Sequence, residues 1–212
     1  MLLLSGCATT NDKTASVSII YGTCAVLSLV LLVIYCYAIR QKETWFLLLF
    51  SAIFVANIGY FSLSVAKNLE EALLANRIVY LGSVFLPMSV MMIILKITKI
   101  HYKSWLPGVL TALVSIVFLF TASPGYSDIY YKEVSFEIVS GIPTLHKVYG
   151  LFHDLYLIYI LTFYAVLITL VVYTIVKKKT SSASHAIILS VAVGINIAVW
   201  ILERSVYVEF EL

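Results

Sequence analysis

The stretch that decides the fold is Leu73–Leu95, which reads LLANRIVYLGSVFLPMSVMMIIL and carries a single charged residue, Arg77. A helix needs about 20 consecutive apolar residues to cross the ~30 Å hydrocarbon core of a bilayer, and this stretch is long enough. The whole chain has the same character, since 62% of its 212 residues are hydrophobic and 12% are charged. A soluble domain carries about 25% charged residues. The composition therefore excludes a soluble enzyme, a disordered chain and a protein that reads nucleic acid from water.

Six apolar stretches of this kind occur along the chain. We expect membrane spans at Ser16–Ile39, Trp45–Ala66, Leu73–Leu95, Trp105–Ala122, Val148–Val176 and His185–Leu202. Because lipid offers the backbone no hydrogen-bonding partner, each stretch has to be helical. The fifth stretch is the longest, and we expect it to tilt or to extend beyond the membrane. The predicted fold class is an all-α, polytopic membrane helix bundle.

Lysine and arginine concentrate on the connections that the positive-inside rule assigns to the cytoplasm. If the N-terminus lies outside, the cytoplasmic connections are Arg40–Thr44, Lys96–Ser104 and Lys177–Ser184. They hold eight basic residues against one acid: Arg40, Lys42, Lys96, Lys99, Lys103, Lys177, Lys178, Lys179 and Glu43. The reversed orientation would place the run of three lysines outside. We therefore expect a multi-pass membrane protein whose N-terminus lies outside.

The long outer connection Ser123–Lys147 predicts a β-hairpin. Its apolar residues nearly alternate with polar ones over residues 131–138, which is the period of two expected of a half-exposed strand. Ser140–Pro143 supplies turn residues, and Thr144–Val148 is the expected return strand. We therefore predict a short extracytoplasmic hairpin over the bundle.

We divide the chain into an N-terminal tail and a membrane domain. Residues 1–15 form the predicted extracytoplasmic tail, and residues 16–212 form the transmembrane domain. An even number of spans places Leu212 outside. The chain stops in a strand-like tail with no terminating polar segment, so we expect the domain to lack its last helix, a seventh span.

An ionisable residue inside a span is expensive and is a functional hypothesis by default. Arg77 lies about one turn inside the outer end of the third span, and Asp154, beside His153, lies about two turns inside the outer end of the fifth. One hypothesis is that Asn76, Arg77, His153 and Asp154 line an outward-facing ligand pocket. The alternatives are a structural bridge between Arg77 and Asp154, or an Arg77 side chain that extends to the lipid headgroups.

Tyrosine is abundant, with 15 residues, and most of them fall near the predicted membrane surfaces. We assign the outer group to an aromatic belt at the interface: Tyr21, Tyr60, Tyr80, Tyr126, Tyr130, Tyr131, Tyr149 and Tyr207. Tyr156, Tyr159 and Tyr164 lie deeper and could donate hydrogen bonds into a ligand cavity.

The cysteines and the remaining motifs offer little chemistry. Cys7 ends the segment Leu4–Cys7, a pattern at which bacterial lipoprotein signals are cut, which makes it a candidate for lipid attachment. The alternative is an ordinary outer tail, because the apolar run is shorter than the 7–15 residues of a signal peptide. Cys24 and Cys36 face different sides of the first span and are expected to be packing residues. The sequence predicts no catalytic group, no metal site and no cofactor.

The segment Ala75–Pro87 resembles the third-helix signature of the N-terminal seven-transmembrane domain of bacterial sensor histidine kinases. The resemblance rests on a basic residue followed by Tyr80-Leu81-Gly82 and by Leu86-Pro87, and it covers roughly residues 16–212. It implies a sensory domain of the bacterial cytoplasmic membrane, expected to act as a homodimer. Gly82 would permit close helix packing and Pro87 would kink the helix, so both are candidates for a conformational relay.

The function that these features favour is a membrane-embedded input module of a two-component signalling receptor. It would detect an unknown extracytoplasmic or membrane ligand and pass the signal to a cytoplasmic output domain or partner, and no nucleic acid is expected. Any kinase activity would belong to a part of the receptor outside this sequence, so the chain itself is not expected to be an enzyme. The alternatives are a small membrane transporter or transporter subunit, or a structural membrane protein. A convincing internal repeat, which many transporters have, is not visible.

Overall fold

A computed structural model describes residues 10–40, 42–139 and 141–176. These residues form five helices and two strands in the order α1 Thr10–Ala38, α2 Thr44–Ser64, α3 Leu69–Ile97, α4 Leu106–Thr121, β1 Tyr131–Val139, β2 Ile142–Tyr149 and α5 Asp154–Val176. The fold is mostly helical with one antiparallel hairpin, as the sequence predicted.

The first five predicted spans all correspond to helices. Four helical segments are long and apolar enough to cross a membrane, namely Val17–Ala38, Thr44–Ser64, Leu69–Ile97 and Asp154–Thr174. Helix α4 is apolar but shorter, with 16 residues. It begins with a proline in its first turn, where the missing backbone N–H has no helical partner to lose. The sixth predicted span, His185–Leu202, lies outside the described residues.

The predicted start of the fifth span is wrong. Val148 and Tyr149 belong to β2, where they pair with Glu133 and Tyr131 of β1. Helix α5 begins only at Asp154 and has 23 residues, so it has ordinary length for a span. Between strand and helix the chain passes Gly150, where an added Cβ would lie 2.5 Å from the Ile129 carbonyl oxygen. The apolar run therefore continues from a strand through a tight turn into a helix, and periodicity alone could not separate these parts.

Helix α3 is the centre of the described bundle. In its most apolar stretch 67% of the residues are buried, whereas the corresponding share is 17% or less in α1, α2 and α5. It packs against α2 on one side and against α4 and α5 on the other, while α1 packs on α2. The main apolar cluster lies between α3, α4 and α5 and includes Val84, Met88, Met92, Ile94, Val114, Val117, Phe163 and Leu167.

Two glycines bring α2 and α3 into backbone contact. A Cβ on Gly59 of α2 would lie 2.5 Å from the Val79 nitrogen, and a Cβ on Gly82 of α3 would lie 2.4 Å from the Ala56 nitrogen. The Ala52 carbonyl oxygen belongs to the same contact, since it would lie 2.5 Å from a Cβ added at Gly82. Small residues permit such close packing where lipid removes the hydrophobic driving force between helices. The α2–α3 pair is therefore a tightly packed unit.

We expect the substitution Gly82→Ala to destabilise the protein by about 1–3 kcal/mol, because the added methyl group meets backbone atoms that cannot move aside. The matched control is Gly108→Ala in α4, where an added Cβ meets no atom within 4 Å. Thermal unfolding of the protein in lipid nanodiscs measures both variants. Equal unfolding midpoints for the two would contradict the close packing at Gly82.

The N-terminus of α3 is capped by side-chain hydrogen bonds. The Asn68 Oδ1 accepts from the Glu71 backbone nitrogen at 2.9 Å, and the Glu71 carboxylate accepts from the Lys67 backbone nitrogen at 2.8 Å. This arrangement resembles a capping box: the Asn68 side chain satisfies a backbone donor of the first turn, and the Glu71 carboxylate accepts from the residue before the N-cap. Glu70 and Glu71 also place negative charge at the positive end of the helix dipole.

Replacing Asn68 by alanine should therefore lower stability by about 1 kcal/mol, whereas Asn68→Ser, which retains a capping oxygen, should lower it much less. The comparison is again made by thermal unfolding in nanodiscs. If alanine and serine at this position were equally destabilising, the cap would not account for the loss.

The hairpin lies over the ends of α2 and α3. Strand β1 pairs antiparallel with β2, with Phe136 opposite Leu145. Leu145 forms a small buried cluster with Ala66, after the end of α2, and Ala72, in the first turn of α3. We call this side of the molecule the hairpin end. The return strand begins at Ile142, earlier than predicted, so Pro143 belongs to the strand and not to the turn; Gly141 has a positive φ of 85° at the tip.

Candidate functional site

A group of aromatic side chains joins the hairpin to the helices beneath it. Its members come from α3, from the base of the hairpin and from α5, and we call them the Tyr–His cluster: Tyr80, Tyr130, Tyr131, Tyr149, His153 and Tyr156. The Tyr80 hydroxyl lies 3.1 Å from the Tyr131 hydroxyl and accepts from the Tyr130 hydroxyl at 3.3 Å. One side chain of α3 is thus hydrogen-bonded to two residues at the start of the hairpin.

Ring contacts extend the cluster to α5. His153, which immediately precedes α5, stacks on Tyr149 with ring centroids 3.8 Å apart and an interplanar angle of 13°. Tyr156 of α5 contacts Tyr80 edge to face at 5.1 Å. Edge-to-face and offset-stacked geometries are the favourable ones for aromatic pairs. The cluster therefore links β1, β2, α3 and α5 at one point.

The hydroxyl groups at the hairpin base are withdrawn from water. Tyr130 is 1% exposed and Tyr131 is 3% exposed. Burial raises the pKa of both phenols well above the ordinary value of 10.0, and neighbouring tyrosines raise it further. Both phenols therefore keep their protons throughout the physiological pH range.

Alkaline pH is expected to weaken this part of the fold. The folded protein keeps protons on Tyr130 and Tyr131 that the unfolded chain releases above about pH 10, so this stabilisation is complete below that pH and declines as the pH rises. In thermal unfolding between about pH 8 and pH 11, Tyr130→Phe should show a shallower decline than the wild type. Tyr37→Phe, at an exposed position on α1, is the control, and an equally shallow decline in both variants would contradict the assignment.

Arg77 is bound to the segment that follows α4. Its Nε donates to the Ala122 carbonyl at 3.2 Å, and one terminal nitrogen donates to the Pro124 carbonyl at 2.7 Å. The other terminal nitrogen donates to the Tyr126 hydroxyl at 3.3 Å, and the guanidinium carbon lies 4.3 Å from the centre of the Tyr126 ring. This set uses the fork of donors that distinguishes arginine from lysine, and it connects α3 to the segment that follows α4.

Asp154 does not lie two turns inside α5, as the sequence suggested. It is the first residue of the helix and is exposed, because the preceding residues belong to the hairpin and its turn. A carboxylate in this place is favourable, since it faces the positive end of the helix dipole. The ion pair that the structure records within the described ranges joins Lys96 and Glu43, so the alternative of an Arg77–Asp154 bridge is not seen there.

Asn76 is the most deeply buried of the four predicted pocket residues. It is 5% exposed, and its amide nitrogen makes no hydrogen bond to any described residue. A buried amide without a partner costs about 1–3 kcal/mol. Asn76 precedes Tyr80 by four residues, so the two share a face of α3. Among the four predicted residues, His153 thus belongs to the Tyr–His cluster, Asn76 lies one helical turn away, and Arg77 and Asp154 have other surroundings.

The cluster itself was not predicted from the sequence. Tyr80, Tyr130 and Tyr131 were assigned to an aromatic belt at the membrane surface, and Tyr126, which is 81% exposed, fits that assignment. Tyr130 and Tyr131 are buried instead. The available signal was their position, because two adjacent tyrosines directly before an alternating strand must lie where the hairpin meets the bundle.

A groove between α1 and α2 lies elsewhere in the molecule. It has a volume of about 470 Å³ and is lined almost entirely by apolar side chains, including Ile19, Val26 and Phe61. Such a lining suits lipid chains. In the described part of the chain, no three histidine, cysteine or acidic side chains converge as metal ligands do. The Tyr–His cluster with Asn76 therefore remains the main candidate site.

We expect Arg77→Lys to loosen the segment after α4, because lysine keeps the charge but cannot bind two carbonyl groups at once. Amide hydrogen exchange in residues 122–127 should become about tenfold faster, corresponding to the loss of roughly one strong hydrogen bond. Lys67→Met, which removes an exposed cation from the same end of the molecule, should leave this exchange unchanged. No difference between the variants would mean that Arg77 does not hold the segment.

Comparison with known proteins agrees with this architecture of apolar helices. Residues 22–210 match the family described as the N-terminal 7TM region of histidine kinase. No curated protein and no solved structure matches the chain. The fold and this match together define a multi-pass membrane domain of the sensory type. The chain belongs to the family of N-terminal 7TM regions of histidine kinases, which is the sensory region of these receptors and not their catalytic part.

Proposed function

We propose that this domain receives its signal at the hairpin end and passes it through α3 and α5 to a cytoplasmic signalling domain or partner. The observation that carries the proposal is the Tyr–His cluster, in which Tyr80 of α3 is hydrogen-bonded to Tyr131 of the hairpin and contacts Tyr156 of α5. A displacement of the hairpin therefore acts directly on two membrane helices. Membership of the histidine kinase family supports the direction from an outer signal to an inner output. As in other receptors of that type, we expect the domain to work as a homodimer.

The hairpin end is proposed to face the outside, which also places the N-terminus outside. Lys96, Lys99 and Lys103 lie at the opposite end of α3 and in the connection that follows it, and cytoplasmic connections are enriched in such residues. A cysteine at Ser135 on the hairpin should react with a membrane-impermeant maleimide in intact cells, after the natural cysteines are replaced by serine. A cysteine at Lys103 should react only after the cells are permeabilised. The reversed pattern would overturn the proposed orientation.

The ligand is proposed to be a small molecule with a hydrogen-bond acceptor that engages the Asn76 amide. Support comes from the burial of Asn76 and from the absence of a partner for its amide nitrogen within the described ranges. His153, which packs on Tyr131 and Tyr149 of the hairpin, would contribute an aromatic and polar surface. Arg77, with three donor contacts to the segment after α4, would position the mouth of the site. Asp154 would contact the ligand from the exposed rim.

Transmission is proposed to involve both residues of the relay, in different ways. Gly82 keeps α3 in contact with α2, so that these two helices move as a pair. Pro87, inside α3, removes one backbone hydrogen bond and so supplies a point at which the helix can bend. A ligand shifts such an equilibrium only by its difference in affinity for the two arrangements.

A genetic comparison tests the proposal without knowledge of the ligand. Strains carrying the natural gene, its deletion, Asn76→Ala, Tyr80→Phe or the control Gly108→Ala are compared by genome-wide RNA sequencing. We expect Asn76→Ala and Tyr80→Phe to change transcription of the genes that respond to the deletion, either as the deletion does or in the opposite direction. The control Gly108→Ala should resemble the wild type. If both variants matched the wild type at equal protein levels while the deletion differed, the proposed signal site would be wrong.

A further inference from the structure

The centre of α3 contains a gap in its backbone hydrogen bonding. Pro87 has no N–H group, so the Ser83 carbonyl, four residues earlier, lacks its α-helical donor. Serine hydroxyls on both sides bond back to the helix, Ser83 Oγ to the Val79 carbonyl at 2.8 Å and Ser89 Oγ to the Phe85 carbonyl at 2.7 Å. Such back-bonding favours bending. This part of α3 is thus held less firmly by its own backbone than an unbroken helix would be.

A side chain from α5 reaches the backbone beside this gap, at the carbonyl of Val84 and not at the unpartnered carbonyl of Ser83. The Tyr159 hydroxyl donates to the Val84 carbonyl oxygen at 2.5 Å, three residues before Pro87. The contact is enclosed, since Tyr159 is 5% exposed and Val84 and Met88 are buried. In a membrane protein, neighbouring helices commonly supply hydrogen bonds where a proline has interrupted a span. Tyr159 therefore binds α5 to α3 within the turn that Pro87 interrupts.

Tyr159 is also connected to the hairpin. Its ring lies 6.3 Å from that of Tyr156, which contacts Tyr80 at 5.1 Å, and the Tyr80 hydroxyl lies 3.1 Å from that of Tyr131. The contacts run without interruption from the base of the hairpin to the Pro87 gap. A displacement of α5 relative to α3 would therefore act on the Tyr159–Val84 hydrogen bond as well as on the Tyr156–Tyr80 contact.

We infer that the Tyr159–Val84 hydrogen bond is the coupling element of the domain, which keeps the Pro87 turn of α3 closed when it is formed and lets that turn open when it is broken. The inference rests on the proposed signalling function for its biological meaning. Its physical content is a local equilibrium in α3 that α5 controls through one hydroxyl group. The two arrangements differ by whether the Val84 carbonyl has a partner on α5.

The test is amide hydrogen exchange of the whole chain in lipid nanodiscs, read by mass spectrometry in the segment 84–91. Tyr159→Phe removes only the hydroxyl and should speed exchange in this segment about fivefold, as expected for one lost hydrogen bond. The matched control is Tyr164→Phe, because Tyr164 lies on the same helix and makes no hydrogen bond within the described residues. Equal exchange in the two variants would overturn the inference.

A double-mutant cycle then links the hydroxyl to the proline. Pro87→Ala restores an N–H group for the Ser83 carbonyl, so the hydroxyl should matter less, and adding Tyr159→Phe to Pro87→Ala should speed exchange less than twofold. A fivefold effect in both backgrounds would show that the hydrogen bond acts independently of the proline, and the coupling would be rejected. These readouts need neither ligand nor output. The inference and the proposed signalling function can therefore fail separately.

Discussion

The backbone contact between α2 and α3 at Gly59 and Gly82 is the constraint on which the rest of the bundle depends. Lipid tails are as apolar as leucine side chains, so helices in a bilayer associate through close packing and polar contacts, not through exclusion of water. With α2 fixed against one side of α3, the other side is left for α4 and α5, and the hairpin covers the ends of α2 and α3. That is why most of α3 is buried, whereas few residues of α1, α2 and α5 are, which suits contact of these helices with lipid.

Different types of contact hold the helices together at the two ends of the bundle. At the hairpin end, neutral hydroxyls and rings of the Tyr–His cluster hold the hairpin to α3 and α5. At the opposite end, Lys96 of α3 pairs with Glu43 before α2, and the Glu43 backbone nitrogen donates to the Tyr35 hydroxyl of α1 at 2.8 Å. The contacts at this end tie α1, α2 and α3 together, so α5 is free of them.

The sequence was informative wherever a single property dominated a segment. Long apolar runs predicted α1, α2 and α3, and a near alternation of apolar and polar residues, followed by turn residues, predicted the hairpin. The prediction failed at residues 148–153, because Val148 and Tyr149 are as compatible with a span as with a strand. Pairing with β1 decided in favour of the strand. The depth of Asp154 was wrong for the same reason, since its position depended on where α5 begins.

Segment type and family membership were thus determined by the sequence itself, because composition, apolar length and the motif Tyr80-Leu81-Gly82 with Leu86-Pro87 are local properties. Only the tertiary structure decided which polar groups meet. Arg77 binds carbonyl groups some 45 residues further along the chain, and Tyr159 binds a carbonyl 75 residues earlier. A hydrogen bond is formed only within about 3 Å and in a restricted range of directions. Such partners are determined by how whole helices pack, and neither the spacing nor the type of the residues reveals them.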